Sequence, residues 1–117
     1  MQPSDINRFR HMLDAAREAA AFSSQGKRSD LDEDHVRALG LVKCLEIVGE
    51  AASKIDPGVR SLYPEVPWQQ IIAMRNRLVH AYFDVDPDQV WSALTEDLPP
   101  LIAELEKILK TFPPSTP

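Results

Sequence analysis

Basic charge is the first thing this chain has little of. Its 13 Lys and Arg face 18 Asp and Glu, for a formal charge of −5 at neutral pH. That is the opposite of the basic bulk or stripe usual in nucleic-acid binders. Any contact with RNA must come from a local cluster of cations, pooled from two subunits if one is too thin. The candidates are Arg75 and Arg77, with Arg8, Arg10 and Arg17 near the N-terminus. Cysteine is nearly absent. The single Cys44, set among Leu41, Val42, Leu45 and Val48, has no intrachain disulfide partner and belongs to no metal-ligand spacing, so it reads as a small apolar packing residue. No apolar run approaches the roughly 18 residues of a membrane span, so no membrane partner is expected. Met1-Gln2-Pro3-Ser4-Asp5 lacks the basic-then-apolar layout of a signal peptide, which makes the cytoplasm the expected location. There is no Gly-rich phosphate loop, no Cys/His metal cluster, no Ser-centred nucleophile elbow, no internal repeat and no strand signal.

What is present is helical periodicity in a globular composition, with room for one domain and one modest core. Ser4 or Asp5 is a plausible N-cap for a first helix whose face carries Ile6, Phe9, Leu13, Ala16 and Ala20, ending near Phe22 or Ser23. Ser23 to Ser29 is a loop, with Lys27-Arg28 at a solvated tip. A second helix is expected from about Asp32 to Ile55, on a stripe of Val36, Leu39, Val42, Leu45, Val48, Ala52 and Ile55. Its spacing, almost entirely three, is closer to a coiled-coil seam than to a lone surface helix. Gly49 inside it marks either the close approach of another helix or a tolerated glycine, and Glu50 either reaches a buried cation or faces solvent. After the irregular stretch from Asp56, Pro67 suits the first position of a third helix that runs to Val79 or His80. Asp86 caps a fourth, with Pro87 at its first position, and Pro99-Pro100 must kink or break it, with Asp97 able to cap a restart. The prediction is an all-α, four- to five-helix up-and-down bundle whose last helix is broken at Pro99-Pro100. Residues 1–110 form a single helical domain and residues 111–117 a disordered, proline-rich tail.

The third helix sets an Arg, an amide and a His at fixed helical spacing, in Met74-Arg75-Asn76-Arg77-Leu78-Val79-His80. At about 100° per residue, Trp68, Ile71, Ile72, Leu78 and Val79 form one apolar stripe with Arg75 in its middle. A guanidinium there needs a partner. Arg77 points to the opposite side and reads as solvated, while Asn76 and His80, four apart, neighbour each other on the flank. Each residue taken alone has a plain structural explanation. Arg75 can be ion-paired with Glu50 or Glu46, His80 can be a C-cap, and Tyr82 can be a core residue with a satisfied hydroxyl. Together they support phosphodiester cleavage of RNA without a metal or other cofactor. His80 would take the proton of a ribose 2′-hydroxyl, Arg75 would bind the phosphate and stabilise developing charge, and Asn76 would orient His80 or a phosphate oxygen. One chain is thin for acid plus base; a symmetric dimer places two copies in one cleft.

Arg75, four residues, then His80-Ala81-Tyr82, with Asn76 after the Arg, resembles the Arg-x4-6-His motif of HEPN domains. Leu45-Glu46-Ile47-Val48-Gly49-Glu50-Ala51-Ala52 looks like the second-helix signature of that family. Tyr63-Pro64-Glu65-Val66-Pro67-Trp68, Val90-Trp91 and Asp97-Leu98-Pro99 resemble its HepT-like branch. The resemblance implies a metal-independent endoribonuclease, the toxin of a type VII-like toxin–antitoxin pair. Arg75, Asn76 and His80 are then catalytic, with Glu50 and Arg77 in support. It implies a homodimer with a composite cleft and an RNA substrate, tRNA among the candidates. It also implies a minimal nucleotidyltransferase antitoxin that transfers AMP to Tyr82, placing charge and bulk two residues from His80. The alternative is a non-catalytic module that docks the nucleotidyltransferase, and the plainest reading is a structural helical dimer whose polar residues only fix specificity.

Overall fold

The computed structural model describes residues 2–80 and 86–112, the side chains of Val79 and His80 excepted. Four long helical arms make an all-α bundle with no strand among the described residues. Helix α1 (Pro3–Gln25) packs on α3 (His35–Lys54), α3 on α5 (Trp68–His80), and α1 on α7 (Leu98–Leu109). Single turns α2 (Asp30–Glu33) and α4 (Pro57–Arg60) lie between the arms, and α6 (Pro87–Ser92) leads into α7. Phe9, Met12, Leu45, Ile55, Leu94, Leu98 and Leu105 are the largest fully buried side chains, so all but α5 of the four arms feed the centre of the core.

The cap of α1 is Gln2 rather than Ser4 or Asp5. Pro3 supplies a preset φ at the first position, and Asp5, three beyond the cap, accepts from the Gln2 N–H at 3.2 Å. The helix runs to Gln25, a little past the expected end. The expected helix from Asp32 is in fact two. Asp34 turns extended, and its side chain accepts from the Arg37 N–H at 3.0 Å, so it caps a fresh start at His35. The Lys27-Arg28 tip is not merely solvated. The Arg28 guanidinium donates to Asp88 at 2.7 Å and pairs with Asp32, tying the α1–α2 turn to the first turn of α6.

The apolar stripe of α3 also differs. Val36 is 79% exposed and Leu39 is exposed, whereas Ala38, Leu41, Val42, Leu45, Val48, Ala51 and Ala52 are buried. Steps of three fall about 60° short of a full turn, so a run of them walks around the helix. Val36 lies about 180° from Leu45.

Between α3 and α5, Trp68 fixes the irregular stretch. Its indole N–H donates to the carbonyls of Arg60 and Tyr63, each at 3.1 Å, and its ring meets Phe9 edge-on at 5.9 Å. Asp86 caps α6 as expected, accepting from the Asp88 N–H at 2.9 Å, with Pro87 at the first position. The interruption of the last arm falls just before the two prolines. A π-helical turn, Ala93–Asp97, separates α6 from α7, and Pro99 and Pro100 sit in the first turn of α7, where a missing N–H costs little. Asp97 makes no side-chain cap bond there. Phe112 is half-buried against the core. The rest of the tail, 113–117, lies outside the described residues.

Candidate active site

The site is built where α5 crosses α3. Gly49 is buried at that crossing, and a Cβ on it would overlap Cβ and Cγ of Arg75 and come within 3.2 Å of the Ile71 carbonyl. The close-approach reading of Gly49 is therefore the correct one. Absence of a side chain lets the stem of Arg75 lie on the α3 backbone, and its head emerges beside Glu50, one residue on.

The Arg75 guanidinium pairs through Nη2 with the Glu50 carboxylate, and its Nη1 donates to Asn76 Oδ1 at 2.9 Å. Glu50 also meets Lys54 Nζ at 3.2 Å. Asn76, Arg75, Glu50 and Lys54 thus form one polar row across the two helices. The pair is not buried: the Arg75 side chain is 30% exposed and that of Glu50 is 41% exposed. A half-exposed pair is weak, so a phosphate oxygen can displace Glu50 from the guanidinium without stranding a charge. Lys54 holds the Glu50 carboxyl below the usual carboxylate range, with Arg75 adding to the effect and desolvation opposing it. Glu46, the other proposed partner, pairs instead with Lys43 at 3.8 Å.

Not every predicted residue converges. Arg77 is exposed and faces away from Arg75, into an apolar groove of about 540 Å³ between α3, α5, α6 and α7. Asp97 lines the same groove. Its carboxyl is pushed above the usual range by burial first and by Glu96 second, with Arg77 pulling the other way. His80 is the last described residue of α5, five beyond Arg75, and its side chain lies outside the description, as does Tyr82 altogether. Lys54 was not picked out from the sequence, although its place four after Glu50 is the ordinary signal for a helical ion pair. Cys44 is half-buried, and burial pushes its thiol up, which keeps it neutral. Among the described residues no group of three or more His, Cys, Asp or Glu is placed to hold a metal ion, and no helix is long and apolar enough to cross a membrane.

An all-α bundle of this kind, in which a half-exposed Arg on one helix pairs with a carboxylate from the neighbouring long helix, is consistent with the HEPN-like class. Residues 12–108 match the family described as ribonuclease HepT-like, and the chain belongs to that family. It is 39% identical over 77 residues to a probable ribonuclease HepT of Thermococcus cleftensis, covering 66% of this chain and 70% of that protein. It is 32% identical over 111 residues to a putative RNase of Methanocaldococcus jannaschii, covering 94% and 92%. A putative RNase of Caldanaerobacter subterraneus is 33% identical over 81 residues, covering 69% and 72%. No solved structure gives a significant match.

Proposed function

We propose that this protein is a metal-independent endoribonuclease toxin acting as a homodimer. The observation that carries the reading is the half-exposed Arg75, held by Glu50 and Asn76 over Gly49, on a helix described as far as His80. Arg75 is the phosphate ligand. Its planar fork offers donors to two oxygens of the scissile group and counters the charge that grows on them. Asn76, bonded to Nη1, holds the fork in place. His80 takes the proton of the ribose 2′-hydroxyl as that oxygen bonds to phosphorus. The P–O5′ bond breaks, and the leaving oxygen is protonated by the imidazolium of the second copy, giving a 2′,3′-cyclic phosphate and a 5′-hydroxyl. Pairing two chains supplies both acid and base from one His each.

Neutralisation in this reading comes from a minimal nucleotidyltransferase. The Tyr82 hydroxyl attacks the α-phosphorus of ATP, pyrophosphate leaves, and AMP remains on the ring. The added phosphate repels an RNA backbone at a site two residues from His80. The family match and the Arg75 geometry support the ribonuclease part of this reading; the AMP transfer rests on the resemblance of Arg75, His80 and Tyr82 to the Arg-x4-His-x-Tyr motif.

The test is cleavage of RNA, tRNA included, by purified protein in EDTA. Wild type is expected to cut. Arg75→Ala should lose roughly 10²–10³-fold, on the scale of a removed oxyanion donor, and His80→Ala roughly 10²–10⁴-fold, on the scale of a lost acid–base group. Activity that vanishes on chelation would sink the metal-free mechanism. Tight binding of a nucleotidyltransferase without any cleavage would identify a docking module instead. Intact mass after co-expression with the nucleotidyltransferase should show added AMP, lost in Tyr82→Phe.

A further inference from the structure

A second groove, of about 620 Å³, opens on the other side of Arg75, between the first half of α1 and the part of α3 from Lys43 to Lys54. Lys43, Ile47, Glu50 and Lys54 follow one another at helical spacing along α3 and form one wall, about 16 Å long at the rise of an α-helix. Arg8 and His11, from α1, stand on the opposite wall, and Arg75 closes one side. Among the described residues, four Lys and Arg line it against two Glu, in a chain whose overall balance is acidic. The groove beside Arg77 differs: among the described residues its only charged lining residues are Arg77 and Asp97, and the rest is mostly apolar.

We propose that the α1–α3 groove is the track for the single-stranded RNA that flanks the scissile phosphate, with Arg8, Lys43 and Lys54 as backbone-phosphate contacts and Arg75 at the reacting phosphate. This rests on the ribonuclease reading and extends it to a binding subsite. A positive groove that follows the backbone is how proteins hold single strands without reading sequence. Its cations are available. Arg8 lies 4.0 Å from Asp5 and Lys43 3.8 Å from Glu46, long contacts that a phosphate can replace, and the Lys43 and Lys54 side chains are mostly exposed. The track is continuous with Arg75 through Glu50 and Lys54. Of the other N-terminal cations, Arg17 is turned to Glu106 of α7 at 3.4 Å and does not line the groove.

The experiment measures binding of a short, mixed-sequence 2′-O-methyl RNA, which lacks the nucleophile, across a salt series. Each phosphate contact on a single strand contributes about 0.7 to the slope of log K against log salt. Arg8→Gln/Lys43→Gln should lower the slope by about 1.4. Lys43→Gln alone, which leaves the Arg8–Asp5 contact intact, should lower it by about 0.7. Lys27→Gln/Lys107→Gln, the same charge change outside the groove, should leave it unchanged. If wild type binds and the groove variants keep its slope, the track is wrong while the ribonuclease reading survives. If the slope falls together with a change in subunit association by sedimentation, the groove is a subunit interface and the track is again wrong. Wild type that neither binds the probe nor cleaves RNA overturns the ribonuclease reading and the track with it.

Discussion

Gly49→Ala is expected to destabilise the fold, and Gly40→Ala, nine residues earlier in the same helix, to stabilise it. Both glycines are interior to α3, where Ala is favoured over Gly by about 1 kcal/mol. At Gly40 a new Cβ meets nothing within 4 Å among the described residues, so the propensity gain stands alone. At Gly49 the new methyl overlaps Cβ and Cγ of Arg75 and crowds the Ile71 carbonyl. The Arg75 Cβ and the Ile71 carbonyl are fixed by the α5 backbone, so no rotamer change clears the space and α5 must lift off α3. Overpacking of this kind costs about 1–3 kcal/mol; a rigid obstacle puts this site in the upper half, about 2–3, and leaves a net loss of about 1–2 kcal/mol. With a urea m-value of about 2 kcal/mol/M, the unfolding midpoint falls by roughly 0.5–1 M, while that of Gly40→Ala rises by up to about 0.5 M. The same displacement moves the guanidinium, so RNA cleavage under native conditions should fall in Gly49→Ala and hold in Gly40→Ala. If both variants gain stability alike, the helices do not approach at Gly49 and the construction of the site is wrong.

Three further outcomes follow from the same structure. Glu50→Gln should narrow the acid sensitivity of the fold: the folded-state carboxyl is held low by Lys54 and then Arg75, so its contribution is present above the ordinary Glu value near 4.3 and is lost as pH falls through the folded value, and the melting-temperature gap between wild type and variant should close over that range. Asp97→Asn should act in the opposite sense. The Asp97 carboxyl is raised, so ionising it opposes folding as pH climbs past about 3.9, and the variant should be slightly more stable at pH 7, by less than about 0.5 kcal/mol for so exposed a group, with the gap gone at low pH. Leu45→Ala, which empties a position 1% exposed, should cost about 2–5 kcal/mol in urea unfolding, whereas Val36→Ala should cost less than about 0.5; equal costs would restore the coiled-coil stripe read from the spacing.

Much of the bundle was legible because caps and prolines act locally. Asp86 accepts the Asp88 N–H and Pro87 opens α6 from two adjacent residues alone. What escaped depends on phase accumulated along a helix. Each three-residue step in Val36-Leu39-Val42-Leu45 looks acceptable, and only their sum carries Val36 to the far side, where it is 79% exposed. Asp34 escaped for a different reason. Its side chain competes with the helix for the Arg37 N–H, so an acid inside the span expected to be one helix separates two.

The site divides along the same line. Its residue types could be read from α5, because Arg75 and Asn76 are sequence neighbours and the Nη1 to Oδ1 bond needs no tertiary partner. The choice between Glu46 and Glu50 could not, since both lie on α3 and both carry a carboxylate of the right reach. Gly49 decides it. With no side chain of its own at the crossing, it sets the stem of Arg75 against the backbone directly before Glu50, while Glu46, one turn earlier, is left to Lys43. The glycine therefore selects the acid that keeps the guanidinium oriented in the absence of phosphate. A half-exposed carboxylate next to a lysine suits that task, because it holds Arg75 in place and yields it to an RNA phosphate without leaving either charge buried.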